Sequence, residues 1–204
     1  GTDGSGELTG SRDSNLAGGV DATEQWDNGG FNISWDITEA AGVWTYSYLV
    51  TGDTKALSHF ILEVTEDDNP FNILDGSDDV AADDPSTYSP GDPSNPGLPN
   101  DIYGVKFDFG DTLINYTIVT DRAPVYGVFY TKDGKNNGND VVAWSDALNY
   151  ANYKTINTLA TTSYIVRPDG RDGVPPQQIP EPAMIALLGF GLAGFGFARR
   201  RRTA

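Results

Sequence analysis

Cysteine is absent from this 204-residue chain, and histidine and methionine occur once each, as His59 and Met184. Without cysteine there is no disulfide, no thiol nucleophile and no thiolate metal ligand, so the fold depends on an apolar core of adequate size. With one histidine, a zinc site would need three carboxylates around His59, an unusual donor set. A Ser-His-Asp triad is formally open through His59, but no Gly-x-Ser-x-Gly elbow occurs. Gly134-Lys135 is followed by Asn136, so there is no phosphate loop. Positive charge is scarce as well, with 13 Lys and Arg against 29 Asp and Glu and a net charge of −16. Setting aside Glu181 and the four arginines at the C-terminal end leaves 28 acidic and 9 basic residues, a net of −19 over residues 1–180. Such a surface repels nucleic acid and anionic membranes, so nucleic acid is not an expected partner.

Acidic residues are abundant enough that paired carboxylates of the kind used in glycoside hydrolysis carry no signal here. A general acid needs burial to raise its pKa, and most of these residues fall in turns. Glu63 is the one strand carboxylate of interest, and a place on the strand surface is its ordinary reading. His59 falls in the same segment and reads as a satisfied core or interface histidine. Clustered Asp and Asn do suit calcium, which takes six to eight oxygens. Asp75, Asp78 and Asp79 (with Asp83 and Asp84 nearby) form the first candidate loop, and residues 133–140 form the second. Neither follows the EF-hand pattern, because Lys135 occupies a ligand position and no Glu closes the ring.

The pattern along the chain is that of strands. Phe31, Ile33, Trp35 and Ile37 alternate with Asn32, Ser34, Asp36 and Thr38, the period of a half-buried strand. Residues 42–50 and 57–65 supply two further β-branched and aromatic segments, and the short turns between the three predict an antiparallel meander. Residues 66–101 break the pattern with Asp runs and prolines at 85, 90, 93, 96 and 99, an insertion that resists regular structure. Strands are expected again at 102–109, 112–120, 125–131 and 163–167, with Gly110-Asp111 a tight hairpin turn and a short helix over 145–153. The expected fold is all-β: an antiparallel β-sandwich of about 7–9 strands, jelly-roll or Ig-like, plus a C-terminal hydrophobic helix. Trp35, Trp44, Tyr46, Phe60, Phe107 and Tyr116 are its expected core. The expected divisions are an irregular lead-in at 1–30, a sandwich at 31–167 with the insertion at 66–101, a proline-rich stalk at 168–182, and a membrane helix with its arginine cluster at 183–204. The chain opens on Gly1-Thr2 without a methionine or an apolar leader, so removal of an export signal is expected.

The C-terminal end is the most specific stretch. Residues 183–198 carry no charge and are apolar around the whole circumference, as suits lipid or a fully buried helix. The segment reaches roughly 24 Å, short of a hydrocarbon core of about 30 Å. Gly189, Gly191, Gly194 and Gly196 would each cost about 1 kcal/mol in a soluble helix and are better tolerated in membranes. Arg199, Arg200, Arg201 and Arg202 would stay cytoplasmic, leaving everything before Pro180 outside.

Pro180-Glu181-Pro182, the Leu/Gly/Phe-rich segment and Arg199 to Arg202 together resemble the PEP-CTERM sorting signal. The resemblance covers about 25 residues and joins three independent elements in order. It implies an exosortase-type processing enzyme as partner, transient membrane anchoring through the tail, cleavage near Pro-Glu-Pro, and a place at the outer surface or in the extracellular matrix of a Gram-negative bacterium. Residues 43–48, 56–63 and 101–107 also resemble patterns in the β-rich outer domains of such proteins and bring no catalytic set with them. The expectation is an exported, non-catalytic surface or biofilm-matrix protein, with self-association, filament formation or contact with exopolysaccharide open to it. The first alternative is a carbohydrate-binding module that stacks sugars on exposed Tyr46, Tyr48, Tyr126 or Tyr130; the second is a secreted hydrolase.

Overall fold

The computed structural model describes residues 7–66, 75–76, 85–155 and 159–169. Thirteen strands lie among them: β1 (Thr9–Asp13), β2 (Val20–Ala22), β3 (Phe31–Ala40), β4 (Val43–Gly52), β5 (His59–Glu63), β6 (Asp75–Gly76), β7 (Ser86–Tyr88), β8 (Ile102–Asp108), β9 (Leu113–Thr120), β10 (Pro124–Gly127), β11 (Phe129–Asn136), β12 (Asn139–Ser145) and β13 (Ile165–Pro168). They form a five-stranded sheet in the order β1-β3-β4-β9-β6, a six-stranded sheet in the order β2-β12-β11-β5-β8-β7, and the ribbon β10-β13. All strand pairs are antiparallel. The expected antiparallel, all-β fold is what forms, with more strands than the 7–9 anticipated.

The two large sheets meet through aromatic rings. Phe31 of the first stacks on Phe129 of the second at 5.6 Å, and Tyr116 meets Phe60 at 5.8 Å and Phe107 at 5.4 Å. Alternation dictates this interface. Phe31, Ile33, Trp35 and Ile37 are all buried, and the register sets Trp35 beside Tyr48 and Tyr48 beside Tyr116. Directly opposed side chains on one face are the unit of sheet stabilisation, so three strands present one continuous aromatic layer. Of the expected core, Trp35, Tyr46, Phe60, Phe107 and Tyr116 are buried, while Trp44 is half-buried against the cluster.

The six-stranded sheet is covered on both faces, which explains why every residue of β5 is buried. Phe60 and Leu62 face the inter-sheet core, and Ile61 joins a second cluster with Leu98, Ile102, Tyr130, Val142, Leu148 and Tyr153. That outer cover comes partly from the proline-rich segment. Leu98 is buried there, the Tyr130 hydroxyl donates to the Pro96 carbonyl at 2.7 Å, and Asn100 Nδ2 donates to the Leu148 carbonyl at 2.7 Å.

Several expectations change. The lead-in is not irregular: β1 adds to β3 and β2 adds to β12. Arg12 fixes that end, its Nε donating to the Tyr164 carbonyl at 2.9 Å while Nη2 pairs with Glu7 at 2.9 Å. The meander fails at its third strand, since β5 joins the opposite sheet from β3 and β4. Gly110-Asp111 is likewise a crossing between sheets, β8 lying in one and β9 in the other. Its ends are held by the Leu57 amide donating to the Asp111 carbonyl at 2.9 Å and the Phe109 amide donating to Ser58 at 3.0 Å. The insertion contributes β7 as an edge strand between Pro85 and Pro90, a position that tolerates flanking proline. Where a short helix was expected at 145–153 there is a single 3₁₀ turn, Asp146–Asn149, followed by turns.

Candidate functional site

Asp75 lies in β6, whose backbone pairs with β9, while Asp78 and Asp79 lie outside the described residues. The second calcium loop is a hairpin: β11 and β12 turn through Asn137 and Gly138, with φ of 48° and 92°. Two successive positive φ values are what a two-residue hairpin loop requires, and Asn-Gly is its strongest sequence signal. The carboxylates at its ends are engaged by cations, Asp133 by Lys55 at 3.8 Å and Asp140 by Lys135 at 3.4 Å. Among the described residues no group of three or more His, Cys, Asp or Glu converges to hold a metal ion.

His59 opens β5 and is buried, as expected of a core histidine. Burial, with Lys132 and Lys106 nearby, pushes its pKa down to about 4, so the imidazole is neutral at neutral pH. The side chain of buried Asn95 is its hydrogen-bonding neighbour. Glu63, at the other end of β5, is buried rather than on the strand surface. It accepts the Val128 amide at 2.9 Å and lies 3.7 Å from Arg167 Nε and 4.0 Å from Lys154 Nζ. Arg167 in turn donates to Thr65 Oγ1 at 3.2 Å, and Thr65 hydrogen-bonds Asp169. This network ties β5 to β13, and Glu63 is committed to it.

Three of the four tyrosines considered for sugar stacking face the core. Tyr46, Tyr48 and Tyr130 are fully buried, their hydroxyls donating to the carbonyls of Arg122, Val166 and Pro96. Burial pushes all three phenols well above their ordinary pKa. Tyr126 is half-buried with its hydroxyl on Glu7 at 3.0 Å. Tyr46 and Tyr48 point inward because their face of β4, not the face of Thr45 and Ser47, meets the second sheet.

A different aromatic lines an open cleft. A cavity of about 450 Å³ lies between the loop 14–19, β2, the turn at 27–28 and the end of β12, with Trp144 and Asp146 in its wall. Trp144 is half-buried and pairs across the sheet with Asp21. Its Nε1 donates to Asn149 Oδ1 at 3.1 Å. The Asn149 amide donates to Asp21 and, at 3.2 Å, to Asp146 Oδ1. Asp27, also in the lining, accepts the Asn28 amide at 2.7 Å and its side chain at 2.9 Å. Leu16 stands fully exposed at the tip of the loop, beside Ala17 at φ 68°. This grouping escaped the sequence reading because β12 itself was not anticipated, although Asn137-Gly138 pointed to a strand on either side.

The sorting residues Pro180, Glu181, Pro182, Arg199, Arg200, Arg201 and Arg202, and the expected hydrophobic helix with them, lie outside the described residues. Among the described residues no helix is long and apolar enough to cross a membrane. Comparison with known proteins speaks to this end of the chain. The sequence model of the PEP-CTERM protein-sorting motif matches residues 178–202. No curated protein and no solved structure matches the chain. By that motif this is a PEP-CTERM sorting-signal protein, exported, associated with the cell envelope of a Gram-negative bacterium and sorted by exosortase.

Proposed function

We propose that the exported protein serves, once sorted, as a non-catalytic component of the outer surface or extracellular matrix. The observation that carries this reading is the sorting motif at residues 178–202, joined to a strand-rich domain of strongly acidic composition. The titratable side chains that drew attention as catalysts support it. His59 is neutral and enclosed beside Asn95, and Glu63 is held by Arg167 and the Val128 amide. Net negative charge keeps such a domain soluble and apart from anionic surfaces, as suits a molecule displayed at high local density.

The test is fractionation of producing cells with and without the sorting enzyme, combined with intact-mass measurement. The reading expects protein at the cell surface or in the matrix, shortened near Pro180-Glu181-Pro182, and retention of the full-length form when the enzyme is missing. Recovery only from the periplasm in both strains refutes it. A hydrolytic activity on glycosidic or ester substrates that disappears with one carboxylate substitution would overturn the non-catalytic part.

A further inference from the structure

The cleft beside Trp144 has a chemistry that the display role does not use. Its volume of about 450 Å³ lies inside the range of about 300–1,000 Å³ typical of small-molecule sites. One wall is a half-buried indole whose ring edge is fixed by its bond to Asn149. The same Asn149 amide bridges Asp21 and Asp146, holding both carboxyl groups in place before any ligand arrives. Asp27 also lines the cleft, oriented by Asn28. Ionised carboxylates are acceptors only, so the lining asks for a ligand rich in O–H or N–H donors. The indole adds a flat apolar face that rewards a matching apolar face on the ligand and attracts a cation.

These requirements exclude the simpler occupants. No set of three ligating groups converges among the described residues, so the carboxylates do not form a cage for a cation. An anionic ligand would meet three carboxylates on a protein of net charge −16. We propose that the cleft binds a non-anionic glycan, one pyranose ring stacking on Trp144 while its hydroxyls, or a protonated amine, hydrogen-bond Asp21, Asp27 and Asp146. Leu16, fully exposed beside the cleft, offers a second apolar contact to the next ring. Preset carboxylates and a fixed indole lower the ordering cost of binding. This assigns the displayed protein a ligand, and it is read out separately from where the protein resides.

The experiment is isothermal titration of the full chain with three probes: glucosamine oligosaccharides, neutral gluco-oligosaccharides and oligogalacturonate, with tryptophan fluorescence as a second readout. Saturable binding of the glucosamine or neutral oligomers is expected, with none for oligogalacturonate. Asp21→Asn and Asp27→Asn keep the shape of the wall and are each expected to weaken glucosamine-oligomer binding about tenfold. Trp144→Phe weakens both non-anionic probes. Should Trp144→Phe fail to fold, the two Asp→Asn variants, checked by unchanged melting temperature, carry the test. Absence of saturation at millimolar concentrations of both non-anionic probes overturns the proposal. So does affinity unchanged in every folded variant, preference for oligogalacturonate, or calcium binding lost in Asp21→Asn without any sugar binding.

Discussion

Replacing Arg12 with methionine is predicted to be among the most destabilising single changes in the domain. The guanidinium is nearly enclosed, with a side-chain exposure of 5% against 28% for its partner Glu7. It makes two bonds to the Glu7 carboxylate, at 3.0 and 2.9 Å, and reaches the carbonyls of Tyr164 at 2.9 Å and Thr161 at 3.2 Å. Its carbon also sits 4.9 Å from the centre of the Trp35 ring. Arg12 thus joins β1 to the segment that precedes β13, at opposite ends of the chain. Breaking one side of a buried ion pair costs about 3–5 kcal/mol, because the remaining charge loses its partner. For a domain of this size that corresponds to a melting temperature lower by about 6–20 °C. Lysine keeps the charge but lacks the planar fork, so Arg12→Lys should recover only part of the loss. Glu7→Gln keeps one acceptor for the two N–H groups and removes the counter-charge, so it should cost about 1.5–3 kcal/mol. Urea unfolding followed by tryptophan fluorescence measures each, and an unchanged m value confirms that the folded state is what shifted. If Arg12→Met lies within about 1 kcal/mol of the parent, or Arg12→Lys matches it, the guanidinium is not the clamp described.

Other positions give sharp expectations. His59, depressed to about 4 by burial from an unfolded value near 6.5, stabilises fully above pH 6.5 and loses that contribution as pH falls towards 4. The loss is about 2–3 kcal/mol, so the melting temperature of the parent should fall relative to His59→Gln across that window; parallel profiles would contradict this. Gly19→Ala should destabilise strongly, since φ is +85° and a Cβ would meet the Thr162 carbonyl oxygen at 1.8 Å; circular dichroism melts would show a large drop, and an unchanged midpoint would rule out that close approach. Glu63→Gln leaves Arg167 without its carboxylate and should cost about 3 kcal/mol in chemical denaturation, against a negligible effect if the pair is dispensable.

Local periodicity carried a good part of the fold. The alternation from Phe31 to Ile37 predicted which side chains of β3 are buried, because a strand places successive residues on opposite faces whatever surrounds it. Strand partners were less legible. β5, β8 and β9 were recognised as strands, yet the sheet that each joins depends on pairing between distant segments, such as Phe60 opposite Phe107 and Tyr48 opposite Tyr116. Gly110-Asp111 has the composition of a hairpin turn and instead carries the chain across the core. The error over Tyr46, Tyr48 and Tyr130 has the same source. Aromatic residues suit a buried face and a ligand platform equally well, and only packing distinguishes them.

The sequence by itself determined the destination of this protein, because a sorting signal is read as a linear segment: Pro180-Glu181-Pro182, an uncharged stretch and four arginines need no tertiary partner to be recognised. It also determined the strand-rich class, through period-two alternation and the absence of any staple other than the core. Tertiary structure decided which aromatics are enclosed, where Arg12 and Glu63 find their partners, and that Trp144 shares a cleft with Asp21 and Asp27. Those residues stand more than a hundred positions apart, and the ladder between β2 and β12 is what brings them together. A local pattern fixes the face of a strand, and the register between distant strands fixes what that face meets.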